Sequence, residues 1–388
     1  MSEYQYYEFQ AIDRPLTGEE QRAVARLSSR VDPHPRRAVF TYSYSDFPGR
    51  AEEVLAQYYD AMLYLANWGS RQLMFRFPEP LVDLDRMRQY HVETTDYPSD
   101  AITVSTVGEY AVLNIQFHDE EDIGWIEGEG YLDSLVGLRD AILQQDYRLL
   151  YLAWLEGLTI EDADEGALEP PVPPGLRSLT PALENFVALF DVDKDLIQVA
   201  AERSGDAEKT VSEDDLCRAI AQLSPEERDA FLLRLAQGEP HLSLALNRRL
   251  GAFIDVPQRE TAARRTVGEL LAAVEALQER RRKERAAKAE ANRIAELKAL
   301  AQREDEAWRE VDVLIQQSKA KAYDEAVRLL AKLEELAEYQ KREAVFESRM
   351  NLICDQYKRR HALMRRLRQV ELISTGTGGQ WATTTTTV

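Results

Sequence analysis

Between Arg259 and Leu372 the chain carries a single glycine, Gly268, and no proline. Those two residues are what usually interrupt a helix, so this C-terminal third has little alternative to being helical. Val267, Leu270, Leu271, Val274 and Leu277 recur at three- and four-residue spacing and make one apolar stripe. Through RRRKERAAKAEANR (280–293) the stripe thins to alanine and long charged side chains, a composition that holds a solvated helix without a core. It returns at Ile294, Leu297, Ala301, Trp308, Val311 and Ile315 in a shifted frame, which argues against one uninterrupted coiled coil. Tyr323 to Ala337 and Val345 to Ile353 add two more stripes. Three antiparallel helices, or one long helix folded into a hairpin, would bury them together. The arm then either closes its own core or leaves part of its first stripes for a partner. In the second case the partner-binding residues are Val267, Leu270, Val274, Leu277, Ile294, Leu297, Trp308, Val311 and Ile315.

Charge divides the chain at the same place. Residues 258–372 hold 26 Lys+Arg against 21 Asp+Glu, a balance of +5, which leaves residues 1–257 with 22 against 47, a balance of −25. So acidic a body repels phosphate backbones and anionic membranes. A nucleic acid would have to be gripped by the basic end, through Lys358, Arg359, Arg360, Arg365 and Arg366. No apolar run approaches a membrane span, Met1 to Gln10 lacks the pattern of a signal peptide, and two isolated cysteines form no disulfide framework. A cytoplasmic protein with no membrane partner is expected.

The first 158 residues are expected to form an α+β body, a mixed sheet with helices packed on it. Strands are predicted at 4–12, 38–43 and 71–77, with 101–107 and 110–117 joined through Gly108 as a hairpin. Thr17 and Glu20 have capping-box spacing ahead of a helix, and further helices are predicted at 51–66, 132–144 and 147–156. Residues 159–177, acidic and then PPVPP, read as an extended spacer. A small helical domain is expected at 178–257, its core including Leu183, Phe186, Phe190, Ile197, Leu216, Ile220, Leu223, Phe231, Leu232 and Leu235. The arm follows at 258–372, then a low-complexity tail at 373–388 expected to be disordered.

Chemistry-bearing clusters are few. His118, Asp119, Glu120, Glu121, Asp122, Glu127 and Glu129 could hold a divalent cation or supply an acid and a base, but a charged loop explains the same composition. Asp191, Asp193, Asp195 and Glu202 fall at calcium-loop spacing, yet Leu196 stands where that loop needs glycine, and aspartates there also cap helices. His34, His91, His241 and His361 stand alone. No phosphate-binding glycine loop, nucleophile elbow or zinc-protease motif occurs, and no cofactor, metal or catalytic residue is assigned.

YYEFQAIDRPLT (6–17 and its flank) together with YLANWGSRQLMFRFP (64–78) resembles a group of uncharacterised bacterial proteins that open on this kind of segment, and it implies no activity. AKAYDEAVRLLAKLEELAE (320–338) is similar to the closing helical segment of bacterial proteins carrying a SWIM zinc finger, although the zinc ligands are missing here. That similarity implies a docking helix. A non-enzymatic adaptor in a bacterial assembly is therefore expected, binding a protein or a second copy through the arm. A nucleic-acid-associated accessory protein and a metal-dependent enzyme built on His118–Glu129 are the alternatives.

Overall fold

The computed structural model describes residues 4–43, 47–92, 101–118, 128–160, 164–206, 213–239, 241–253 and 264–373. They belong to two compact units, Met1–Gln278 and Glu279–Val388. In chain order the first unit holds β1 (Gln5–Gln10), α1 (Gly18–Ala25), β2 (Val31–Pro33), β3 (Arg37–Tyr42), α2 (Ala51–Tyr58), β4 (Ala61–Ala66), β5 (Ser70–Pro78) and α3 (Leu84–Arg88). There follow β6 (Ile102–Val107), β7 (Tyr110–His118), α4 (Tyr131–Leu135), α5 (Gly137–Leu143), α6 (Arg148–Ile160), α7 (Pro181–Phe190) and α8 (Lys194–Arg203). Then come α9 (Glu213–Gln222), α10 (Pro225–Ala236), α11 (Leu242–Gly251) and α12 (Val267–Gln302), the last running across the boundary into the second unit. The second unit adds α13 (Glu304–Gln316), α14 (Ala320–Gln340), α15 (Glu343–Tyr357) and α16 (His361–Gln369).

The body is α+β as its patterning implies, but its sheet is not mixed. Among the described residues seven strands run in the order β2-β3-β1-β4-β5-β7-β6, and every pairing between them is antiparallel. The expected helix at 51–66 is a second correction: it stops at Tyr58, and Ala61–Ala66 becomes the central strand β4 between β1 and β5. AMLYLA is apolar on both faces because both are covered, and a continuous apolar run does not distinguish strand from helix by period. Leu63, Leu65, Leu73, Phe75, Leu113 and Ile115 look into one core, with α4 to α8. Met62, Met74 and Val112 look into the other, with Phe9, Phe40, Val24, Val54, Leu55 and Phe47. The β6–β7 hairpin turns where predicted, with Gly108 at φ +64°. Thr17 and Glu20 form both halves of a capping box at α1.

Residues 164–177 are no extended spacer. Glu169, 2 % exposed, takes two hydrogen bonds from Arg265 at 2.7 and 2.8 Å and one from the Tyr151 hydroxyl. Leu168 bridges Thr266, and the amides of Val267 and Gly268 donate to the carbonyls of Ala167 and Glu165. The Tyr90 hydroxyl donates to the Pro171 carbonyl at 2.8 Å. The prolines are thus ordered by packing, and the segment anchors the start of α12. Nor is 178–257 a separate core, because Leu183, Phe186, Phe190 and Ile197 pack in the same cluster as the sheet.

The second unit is a helical bundle. α14 packs against α13, α15 and α16, and Leu330, Leu333 and Leu336 lie among Val311, Ile315, Phe346, Met350, Leu363 and Leu367. Leu297 and Leu300 from the end of α12 complete that cluster. Residues 282–293 of α12 are all exposed, as their alanine and charge content requires.

Candidate interaction surface

The stripe expected to wait for a partner is already occupied. Val267, Leu270, Val274 and Leu277 are buried in the sheet core of the first unit. Leu297, Val311 and Ile315 are buried in the bundle, and Trp308 packs against it with its ring 5.7 Å from Phe346. Ile294 is half-buried at the end of the solvated stretch. The shifted frame noticed in the sequence thus marks a change of core within one helix, and these side chains offer no free docking face.

The basic end is partly committed as well. Arg360 donates to the Ile315 carbonyl, to Ser318 Oγ at 2.7 Å and to the Tyr323 hydroxyl at 3.1 Å. Arg366 Nε pairs with Asp324 at 2.6 Å. Lys358, Arg359 and Arg365 are exposed. Of the five basic residues, two therefore brace the bundle.

Among the described residues, exposed apolar side chains are scattered singly at Leu168, Val313 and Leu352 and gather in sequence on α10. Ser224 and Glu227 close a capping box, and Pro225 occupies the first turn, so PEERDAFLLRLA starts as its sequence dictates. Yet no residue of α10 is buried. Leu232, Leu233 and Leu235 are 62, 60 and 64 % exposed, and Ile220 near the end of α9 is also exposed. Leu232 and Leu235, expected in a domain core, are surface residues. Phe231, Leu232, Leu233 and Leu235 span a wider arc than one neighbouring helix can cover. α10 packs on α11, with Phe231 half-buried and Arg249 Nε donating to Glu227 Oε1 at 3.0 Å. The core beneath these helices is small: Ala219, Leu223 and Leu250, flanked by Leu216, Leu246 and Phe253.

Polar contacts tie α11 to the segments that follow β5 and β1. Arg248 donates to the carbonyls of Pro80 and Leu81 at 2.8 and 2.7 Å. His241, in the left-handed region at φ +59°, places Nε2 3.0 Å from Asp13 Oδ2. Asp13 receives two 2.8 Å hydrogen bonds from Arg139, which is 1 % exposed and also donates to the Arg76 carbonyl. Arg76 in turn donates to Asp60 at 2.7 Å, while the other Asp60 oxygen accepts from the amides of Ile12 and Asp13. Burial alone would raise the Asp13 carboxyl, but Arg139 and then His241 hold it below its ordinary value. With its charges paired and its lone pairs occupied, the network is organised as structural support.

Other chemistry-bearing groups are similarly engaged. Ser70 Oγ lies 2.9 Å from His118 Nδ1 and accepts from Trp68 Nε1 at 3.1 Å, while Gln72 Nε2 donates to Asn114 and Gln116. The carboxylates Asp119 to Glu127 of the expected acidic site lie outside the described residues, as does the tail beyond Ile373. Asp193 is the N-cap of α8, accepting from the Asp195 amide at 2.6 Å, and Asp191 ends α7 in the left-handed region. Those two aspartates shape a turn between helices. His91 Nδ1 sits 2.6 Å from the Ile102 carbonyl. In the bundle a recess floored by Trp308, Leu336 and Phe346 and rimmed by Arg342 and Arg349 encloses about 10 Å³ of water-sized space. That is room for roughly one water molecule. No described helix is long and apolar enough to cross a membrane. No family model, curated protein or solved structure matches this chain, so the resemblances drawn from its sequence rest on its own residues alone.

Proposed function

We propose that this chain is a non-enzymatic interaction component, an adaptor, that docks through the leucine face of α10. The observation that carries this reading is a helix with no buried residue and three leucines about three-fifths exposed. Leucines presented on adjacent turns are the side chains a helical surface uses to anchor a partner. The helix is capped at its start and braced through α11 onto the segments that follow β5 and β1, so the face is held in place before anything binds. The polar networks favour the same reading, because Asp13, Asp60, Arg76, Arg139, Glu169 and Arg265 are all satisfied internally. Docking through α10 replaces docking through the arm, whose stripe is used as core.

The test is affinity capture of the tagged full chain from its cell of origin, in parallel with a Leu232→Ser/Leu235→Ser variant. Partners, whether other proteins or untagged copies of this chain, should be retained by the first and lost by the second. Equal recovery with both would refute the α10 face as the docking site. Nucleic acid recovered instead, and lost on neutralising Lys358, Arg359 and Arg365, would favour the accessory-protein alternative.

A further inference from the structure

We infer that α9, α10 and α11 form a latched lobe, which opens and unfolds as one unit while the sheet core and the start of α12 stay folded. The inference does not rest on what binds α10. Its first support is where the chain leaves the core and where it returns. α8 packs in the sheet core through Leu196, Ile197, Val199 and Ala200. Just beyond it, Ser204 Oγ donates to the Pro173 carbonyl at 2.8 Å, and the Gly175 amide donates to the Gly205 carbonyl. On the return side Arg265 is held by Glu169, and Val267 and Leu270 enter the same core. One segment, 169–175, thus pins both ends of the excursion, so opening the lobe pulls neither end out of place.

The second support is the balance between what the lobe contains and what holds it. Its helices are 10, 12 and 10 residues long, no longer than the about 12–15 residues at which an isolated helix is still marginal in water. Their shared core is Ala219, Leu223 and Leu250. Among the described residues, the polar ties and core packing that join them to the rest of the unit run through α11 and its N-cap. Arg248 donates to the Pro80 and Leu81 carbonyls, His241 meets Asp13, and Leu244 packs against the sheet core. So few buried contacts put the opening at the low end of the stability scale within one fold. The consequence is that α10 is presented as a formed helix only while α11 is latched.

Peptide-resolved hydrogen exchange on the full chain and on an Arg248→Ala variant tests this. In the parent, the slowest amides of α9, α10 and α11 should share one protection factor, lower than that of β4 and β5. The variant removes two hydrogen bonds from a charged donor and should speed exchange in all three helices by one common factor, about tenfold. Leu250→Ala, which hollows the core of the lobe, should give the same signature. In both variants β4, β5 and α13 to α16 should exchange as in the parent. Protection in the three helices equal to that of β4 and β5 overturns the inference, since the lobe would then open only with the sheet. Acceleration confined to α11 overturns it as well, because the helices would not be one unit. Arg248→Ala without effect on any of the three removes the latch.

Discussion

The two units treat charge differently. Beside exposed pairs such as Arg14–Glu20 and Arg249–Glu227, the first also buries some: Asp60–Arg76, Asp13–Arg139, Glu169–Arg265 and Glu8–Arg37 each have at least one partner almost completely enclosed. The second keeps it outside, with Arg293–Glu335, Lys332–Glu296 and Arg349–Asp305 on the surface of an apolar bundle. A buried pair is costly to break because the survivor is stranded in low dielectric, whereas an exposed pair falls back on water. The difference teaches where each fold is brittle. The sheet depends on a few long-range polar contacts, the bundle on the volume of its leucines.

Breaking the contrast from the sheet side should have the largest effect. Arg139→Ala leaves Asp13 without its bidentate partner and Asp60 with a diminished one, and should cost the first unit about 3–5 kcal/mol in urea unfolding. Leu330→Ala, at the fully buried centre of the bundle, should cost the second unit about 2–5 kcal/mol, with the loss seen by peptide-resolved hydrogen exchange only in residues of that unit. Exchange that speeds up across both units would show that they unfold together.

Acid sharpens the comparison. Asp13 is held below its ordinary value when folded, so its stabilisation is present above the unfolded value of about 3.9 and is lost as pH falls through the lower folded value. Glu20 behaves likewise, its carboxyl held at about 2 by Arg14 and the Thr17 cap. In the bundle, Glu334 goes the other way, raised by burial and by Glu338, so protonation relieves it. The first unit should therefore lose stability between about pH 5 and pH 2 more steeply than the second. Asp13→Asn should flatten that slope while lowering stability at neutral pH. The smallest effect is expected at Arg293→Ala, whose exposed pair with Glu335 falls back on water, so the urea midpoint should barely move, and less still in 1 M salt.

What the sequence made legible was what is local. The capping box at Thr17, the Gly108 hairpin and the strand at 71–77 all depend on neighbours within a few residues, and all appear as predicted. What it hid depends on distant partners. β4 looked helical because its covering comes from two sheet faces at once. The Pro-rich segment looked like a spacer because Arg265 lies far along the chain from the Glu169 it pairs with. The two apolar stripes changed places for the same reason. Nothing within α12 announces that the sheet will cover Leu270, and nothing within α10 announces that Leu232 stays bare, except the excess arc of its leucines. A candidate site made by absence of a partner is the hardest feature to read from periodicity alone.

The exchange of those stripes is the central claim, and thermal unfolding of two single variants of the full chain tests it most directly. Leu232→Glu should leave the midpoint within a few degrees of the parent, because a surface substitution changes stability by about 0.5 kcal/mol or less. Leu270→Glu puts an unpaired charge into the sheet core and should lower the midpoint sharply or abolish the folded state. The reverse pattern, with Leu270→Glu harmless and Leu232→Glu disruptive, would contradict the account.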